Sequence, residues 1–313
     1  MKIGVWMPIE ERNQRTASWV EIRDLAIATE TAGFDSIWVS DHLLFRQGDD
    51  GSTRGIWEAW TILTGLAAVT DRVQLGTIVL CLPFRHPVVL AKMADTLDEV
   101  SGGRLILGIG AGWHEPEFEA FGLPFDHLAS RFEEGAEIIT SLLRTGEATV
   151  HGAYYRADDA VLKPSGPRTG RSFADGGIEI MISGNRPRMA RAVVQYADSW
   201  NAAWIGDPSA LASRRAVLDE ALGEAGRAPN SIDITVGLTI RFPELEREFY
   251  GDHAPATDDL DPARVIVGEP ADIAAIFRGY DDLGVTHLQL MYSPPNQPGL
   301  ERLAEALRLY RGQ

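Results

Sequence analysis

The feature that most constrains this chain is an alternation. Short apolar runs of strand length are each followed by a longer stretch with helical spacing, eight times over. The runs are Lys2 to Pro8, Ser36 to Ser40, Val73 to Leu82 (interrupted by Gly76-Thr77), Leu105 to Ile109, Ile178 to Ile182, Trp200 to Ile205, Ile232 to Ile240 and His287 to Tyr292. The intervening helices are predicted over Trp19 to Ala32, Glu58 to Thr70, Pro87 to Val100, Leu128 to Leu143, Pro187 to Ala197, Pro208 to Glu224, Ala271 to Leu283 and Gly299 to Arg311. Such alternation argues for a parallel sheet. Eight units in 313 residues, with no mid-chain linker, argue for one closed (β/α)8 TIM barrel over residues 1–313. A doubly wound open sheet would place a phosphate loop after strand one, where this chain has only WMPIEER. Two insertions are expected. After strand four, His151 to Lys163 alternates and carries Gly and Asp-Asp, so it reads as a hairpin; after strand seven, Pro243 to Pro262 is acidic and aperiodic, so it reads as a mobile loop.

Charge and cysteine content narrow the function. The formal net charge is −16 and no basic cluster stands out, which argues against nucleic acid and anionic membrane surfaces as partners. A single cysteine, Cys81, excludes an internal disulfide and a cysteine metal cluster, and its apolar setting marks it as a small buried residue. The N-terminus turns charged after one short apolar run, and no run reaches membrane-spanning length; the expectation is a soluble, cytoplasmic protein.

The barrel turns sequence position into geometry, because barrel sites are built from the loops at the carboxyl ends of the strands. Strand two delivers Asp41 and His42. The imidazole suits proton transfer near neutral pH, while its neighbour faces the other way and anchors the loop. Strand four runs out into Gly108, Gly110, Ala111 and Gly112, then Trp113, His114, Glu115 and Glu117. GIGAG is not GxGxxG, and it stands on the fourth unit, so it is not read as a dinucleotide fingerprint. With Gly76, Thr77, Ile78 and Val79 it thins the barrel mouth, as a flat ring lying on backbone would need. Ser183-Gly184-Asn185, followed by Arg186 and Arg188 at a helix start, offers amides, a hydroxyl and guanidinium groups to an anion. Together these features predict a planar heterocycle with a phosphate tail. His114, Glu115 and Glu117 lack a metal-ligand spacing, and no Ser-His-Asp arrangement is present.

The segment GTIVLCLPFRHPVVLAKMADTLDEVSGGRLILGIGAGWHEPEFEAFGLPF, with SIWVSDH before it and ISGNRPRMARAVVQYADSWN after it, resembles the luciferase-like monooxygenase superfamily. The WHEPEFEAFG run resembles the branch that depends on the deazaflavin coenzyme F420 more than the FMN-dependent branch. The resemblance implies a (β/α)8 barrel that binds F420 or, alternatively, FMN. It implies His42 over the reactive ring with Asp41 beside it, a non-prolyl cis peptide at Ile78-Val79, and the phosphate held by Ser183, Gly184 and Asn185. It implies a homodimer as well. Two positions depart from the F420-dependent sugar-phosphate and alcohol dehydrogenases. Trp113 stands where they have an acidic glutamate, and Arg46 where they have a tryptophan. That argues against those two substrates and leaves Glu115 or Glu117 as replacement acids. The expected activity is hydride transfer between F420 and a small organic substrate, with Pro243 to Pro262 as a lid and an F420-reducing dehydrogenase as cofactor supplier. The alternatives are an FMN monooxygenase fed by a separate reductase, and a non-catalytic flavin-binding barrel.

Overall fold

The computed structural model describes residues 1–46, 52–254, 261 and 263–313. Eight parallel strands form the barrel: β1 (Lys2–Trp6), β2 (Ser36–Val39), β3 (Gln74–Thr77), β4 (Leu105–Gly110), β5 (Glu179–Ser183), β6 (Ser199–Ala203), β7 (Asp233–Arg241) and β8 (His287–Ser293). Each strand pairs with the next in sequence, and the ring closes where Val5 of β1 faces Leu290 of β8. The jacket is α1 (Trp19–Thr31), α2 (Ala59–Ala67), α3 (Pro87–Ser101), α4 (Leu128–Thr145), α5 (Pro187–Tyr196), α6 (Leu211–Glu224), α7 (Pro270–Asp282) and α8 (Gln297–Arg311).

Strand alternation divides the core in two. Ile37, Val39, Leu105, Leu107 and Ile109 join the large cluster between strands and helices. Trp6, Trp38, Ile78, Ile106 and Met181 make a separate, smaller cluster, as expected when every second residue points to the opposite face of the sheet. The indole of Trp38 dominates the barrel interior. It is fully buried, and its Nε1 donates to Ser36 Oγ at 2.7 Å. A Cβ placed on Gly76 would lie 2.2 Å from that ring, so glycine on β3 is what the tryptophan on β2 requires.

The loops depart from the reading in three places. The hairpin after α4 is present, as Glu147–His151 antiparallel to Arg156–Val161. After β2, however, a short hairpin pairs Phe45–Arg46 with Thr53–Arg54, where the sequence shows only a polar loop whose residues 47–51 lie outside those described. After β4, Glu115–Phe121 forms a short helix. The stretch after β7 is not wholly loop. Pro243–Tyr250 is helical, and inside its acidic run Glu246 is buried against Arg241, whose Nε donates to Oε1 at 2.8 Å. Val265–Val267 then adds a strand beside β7, whereas residues 255–260 and 262 of the expected lid lie outside the described ones.

Candidate active site

A cavity of about 550 Å³ opens at the carboxyl ends of the strands. It lies within the size range of small-molecule and cofactor sites. His42, Ile78, Val79, Gly112, Trp113 and Ser183, all anticipated from strand-end positions, line it together. The peptides Ile78-Val79 and Ala203-Trp204 are both cis.

The centre is His42. Its Nδ1 lies 3.0 Å from Glu117 Oε1, while Glu117 Oε2 accepts from the Leu43 amide at 2.8 Å. Glu117 is only 1% exposed, so it is not a solvated helix-start carboxylate; Glu115, two residues earlier, is the exposed one. A carboxylate acceptor places the Nδ1 proton toward Glu117, leaving Nε2 as the second ring nitrogen of a residue that lines the cavity. Aromatic rings fix the imidazole from the sides: Phe45 at 4.3 Å between centroids and Trp113, edge-on, at 5.7 Å. His114 plays a different part. Its Nε2 accepts from the Arg46 amide at 3.0 Å, and burial holds its pKa below the ordinary histidine value against the pull of Glu117. It is a neutral brace for the loop after β2.

Asp41 is fully enclosed. Its carboxylate meets Arg85 at 2.7 and 3.0 Å and accepts from the Cys81 amide at 2.9 Å. This fork ties the loop after β2 to the segment after β3, which is the anchoring role read from its strand position. Burial opposes the Arg85 charge, yet Asp41 and Glu58 more than offset it, so the guanidinium is held charged. Cys81 is buried beside these acids; burial pushes its thiol well above the ordinary value, which leaves no reactive thiolate.

The glycines take a role other than the flat wall expected. A Cβ on Gly110 would approach Val79 Cγ2 to 2.6 Å, and one on Gly112 would meet Cys81 Sγ at 2.7 Å. Side chains of the protein therefore fill the space those glycines vacate. Thr77 is also committed internally, exchanging hydrogen bonds with Gly108 through Oγ1 at 2.8 and 3.0 Å. Gly110, Ala111 and Thr77 do not line the cavity; Gly112 does. On the far side, Ser183 Oγ donates to Asn201 O at 3.2 Å, and Gly184 O accepts from Trp200 Nε1 at 3.0 Å. Asn185 is exposed at the start of α5, whose first turn has no side-chain cap. Arg188 turns away, donating to Glu133 and Ser130 of α4, so it drops out of the expected anion pocket; Ser183 is the member of that set which lines the cavity.

Several lining residues escaped the sequence reading. Glu10 and Arg12 follow β1, Asn201 stands inside β6, and Phe45 and Arg54 belong to the hairpin after β2. Glu10 is buried. That burial raises its pKa, but Arg12 and the hydrogen bond from Ser40 outweigh it, and the carboxyl stays below the ordinary value. The strand-end rule, applied to strand one as to strand two, would have found Glu10 and Arg12. From β8 the wall takes Met291, while Tyr292 is buried and donates to Asn296 O at 3.4 Å. Trp6 and Trp204 stack at 4.9 Å and 12° to complete the floor. Among the described residues, no three His, Cys, Asp or Glu side chains are grouped to hold a metal, and no helix is long and apolar enough to cross a membrane.

Compared with known proteins, the chain matches over residues 1–242 a family model described as luciferase-like monooxygenase. It is 29% identical over 317 residues to an F420-dependent glucose-6-phosphate dehydrogenase of Kineococcus radiotolerans, covering 88% of each chain. It is 30% identical over 280 residues to the pyrimidine monooxygenase RutA of Methylorubrum extorquens, covering 82% of this chain and 72% of that one. Among solved structures, an F420-dependent secondary alcohol dehydrogenase in complex with an F420-acetone adduct gives a TM-score of 0.78 at 20% identity, over 99% of both chains. At that identity the likeness speaks to the fold alone.

Proposed function

The chain belongs to the luciferase-like monooxygenase family, and from that premise we propose that it is an F420-dependent oxidoreductase acting on a small organic substrate. The observation that carries the reading is the His42–Glu117 pair, at 3.0 Å, beside a cavity of about 550 Å³.

The residues present fit a deazaflavin or flavin ring. Asn201 lines the cavity, and its buried Oδ1 has no partner among the described residues, whereas its Nδ2 serves Thr235 and Gln289. An orphaned acceptor of this kind is costly to leave unmet, and the uracil-like edge common to both rings carries an N–H donor. Ile78, Val79 and Gly112 would border the ring, and Ser183 with the backbone of Gly184 and Asn185 would hold its phosphate. Such a ring supplies hydride transfer when bound, to which FMN would add oxygen chemistry. The protein supplies the proton. His42 Nε2 takes one from a substrate hydroxyl or returns it to a carbonyl, while Glu117 keeps the imidazole in one tautomer and one orientation. Trp6, Trp204 and Met291 keep water from the reacting face.

Similarity to RutA favours a second reading, an FMN monooxygenase served by a separate reductase. Titration of the purified protein with F420 and with FMN, followed by absorbance, separates the two: tight F420 and weak FMN binding supports the first, and the reverse overturns it. In the loaded protein, His42→Ala should abolish turnover with cofactor affinity nearly intact. Pairing of two chains in a homodimer belongs to the proposal too, and sedimentation equilibrium tests it.

A further inference from the structure

Six titratable or charged groups with roles in acid-base pairing line the cavity: the acids Glu10, Asp41 and Glu117, and the bases Arg12, His42 and Arg54. Each acid is already matched. Glu10 accepts from Arg12 at 3.0 Å and from Ser40 at 2.8 Å. Asp41 is gripped by Arg85, and Glu117 by His42 and Leu43. Those pairings also use Arg12 and His42. Arg54 is left over. Among the described residues no carboxylate makes an ion pair with it. Its guanidinium instead rests over the Phe45 ring, 4.5 Å from the centroid, and Phe45 packs on His42. A chain of formal charge −16 thus places at the mouth of its candidate site, one aromatic ring from the candidate proton carrier, a cation that no carboxylate among the described residues contacts directly.

We propose that Arg54 selects the substrate, and that the substrate is a small carboxylate: its oxygens meet the Arg54 fork, its apolar body lies against Trp6, Trp204 and Met291, and its reacting carbon sits near His42. The inference rests on the oxidoreductase reading of the same cavity. The physical case has three parts. Planar guanidinium matches carboxylate with two parallel hydrogen bonds, which a neutral isostere cannot form. A half-buried position makes that charge pairing stronger than it is in open water. The Phe45 face holds the guanidinium in place before any ligand arrives, so little side-chain entropy remains to be lost on binding.

Benzoate and benzamide, nearly identical in shape and different in charge, are the probes. The protein is titrated with each, both alone and saturated with whichever of F420 or FMN it binds, and the signal is the fluorescence of the cavity tryptophans or the heat of binding. Wild type should bind benzoate about ten-fold or more tightly than benzamide. Arg54→Gln should erase the preference without changing benzamide affinity, and Arg54→Lys should keep part of it. Equal binding of the probes, binding of neither, or a preference that survives Arg54→Gln would overturn the proposal. So would an Arg54→Gln protein that loses cofactor affinity and keeps its benzoate preference, since Arg54 would then serve the cofactor. A protein that binds neither cofactor yet prefers benzoate through Arg54 would defeat the oxidoreductase reading and support the anion site.

Discussion

At the scale of single residues, the site turns on a division of labour between two carboxylates that look alike in the sequence. Glu115 and Glu117 both open the helix Glu115–Phe121, yet only Glu117 faces inward, onto His42 and the Leu43 amide. Both of its oxygens are occupied by protein groups, so it acts through the histidine and serves as a positioning residue. Glu117→Gln leaves one acceptor oxygen for two donors, so it should cost some stability by setting its NH2 against the Leu43 amide while its oxygen still accepts from Nδ1, and should keep the cofactor affinity. It should lower kcat by about ten-fold or more, because the negative charge that steadies a protonated imidazole is gone. Glu115→Gln, an exposed change in the same turn, should leave kcat unaltered. Steady-state kinetics on the two variants, with cofactor titrations alongside, measures the contrast; equal effects would remove Glu117 from the chemistry.

At the scale of elements, the small residues of β3 and β4 are a packing solution. Trp38 takes up so much of the barrel interior that its neighbours have to retreat, and Gly76 does so on β3. Gly76→Ala should cost roughly 1–3 kcal/mol, the usual range for forcing atoms into a packed core. Thermal unfolding measures the loss, and a smaller loss in a Trp38→Phe background would show that the indole is the cause. The barrel strands and their helices were legible in the sequence to within a few residues, because a parallel strand buried on both faces leaves an apolar run of its own length. The helix Pro243–Tyr250 was not. Of its two buried residues one is the carboxylate Glu246, paired with Arg241 five positions earlier, a local polar contact that no apolar period announces. The same limit hid Arg54 and Phe45, since a two-residue strand in a polar loop carries no pattern. His42 and the Ile78-Val79 segment were legible through strand-end position and family resemblance, whereas the reading of glycines as a ring platform missed what fills the barrel beneath them.

At the scale of the whole molecule, the closed barrel confines polar groups that respond to acid. His287, at the start of β8, is buried with Nε2 2.7 Å from Ser36 Oγ. Burial first, then the charges of Lys2 and the N-terminal amine, push its pKa down to about 3. Between the unfolded value of roughly 6.5 and that figure, the unfolded chain takes up a proton that the native barrel refuses. Stability therefore rises with pH across the window and is lost on acidification. Denaturant unfolding at pH 7 and pH 4.5 should show wild type losing about 2 kcal/mol more than His287→Gln, which has nothing there to titrate. Equal losses would mean that the histidine does not govern acid sensitivity. The His42–Glu117 pair has a consequence of another sort, for how such a protein diversifies. Barrel enzymes change substrates largely by exchanging the loops on a constant scaffold. Here the histidine comes from the loop after β2 and its orienting acid from the loop after β4, two units along the ring. Neither loop is a free cassette: transplanting either into a relative carries over half of a device, so productive recombination between relatives has to move the span from β2 to the end of the helix Glu115–Phe121 as one block.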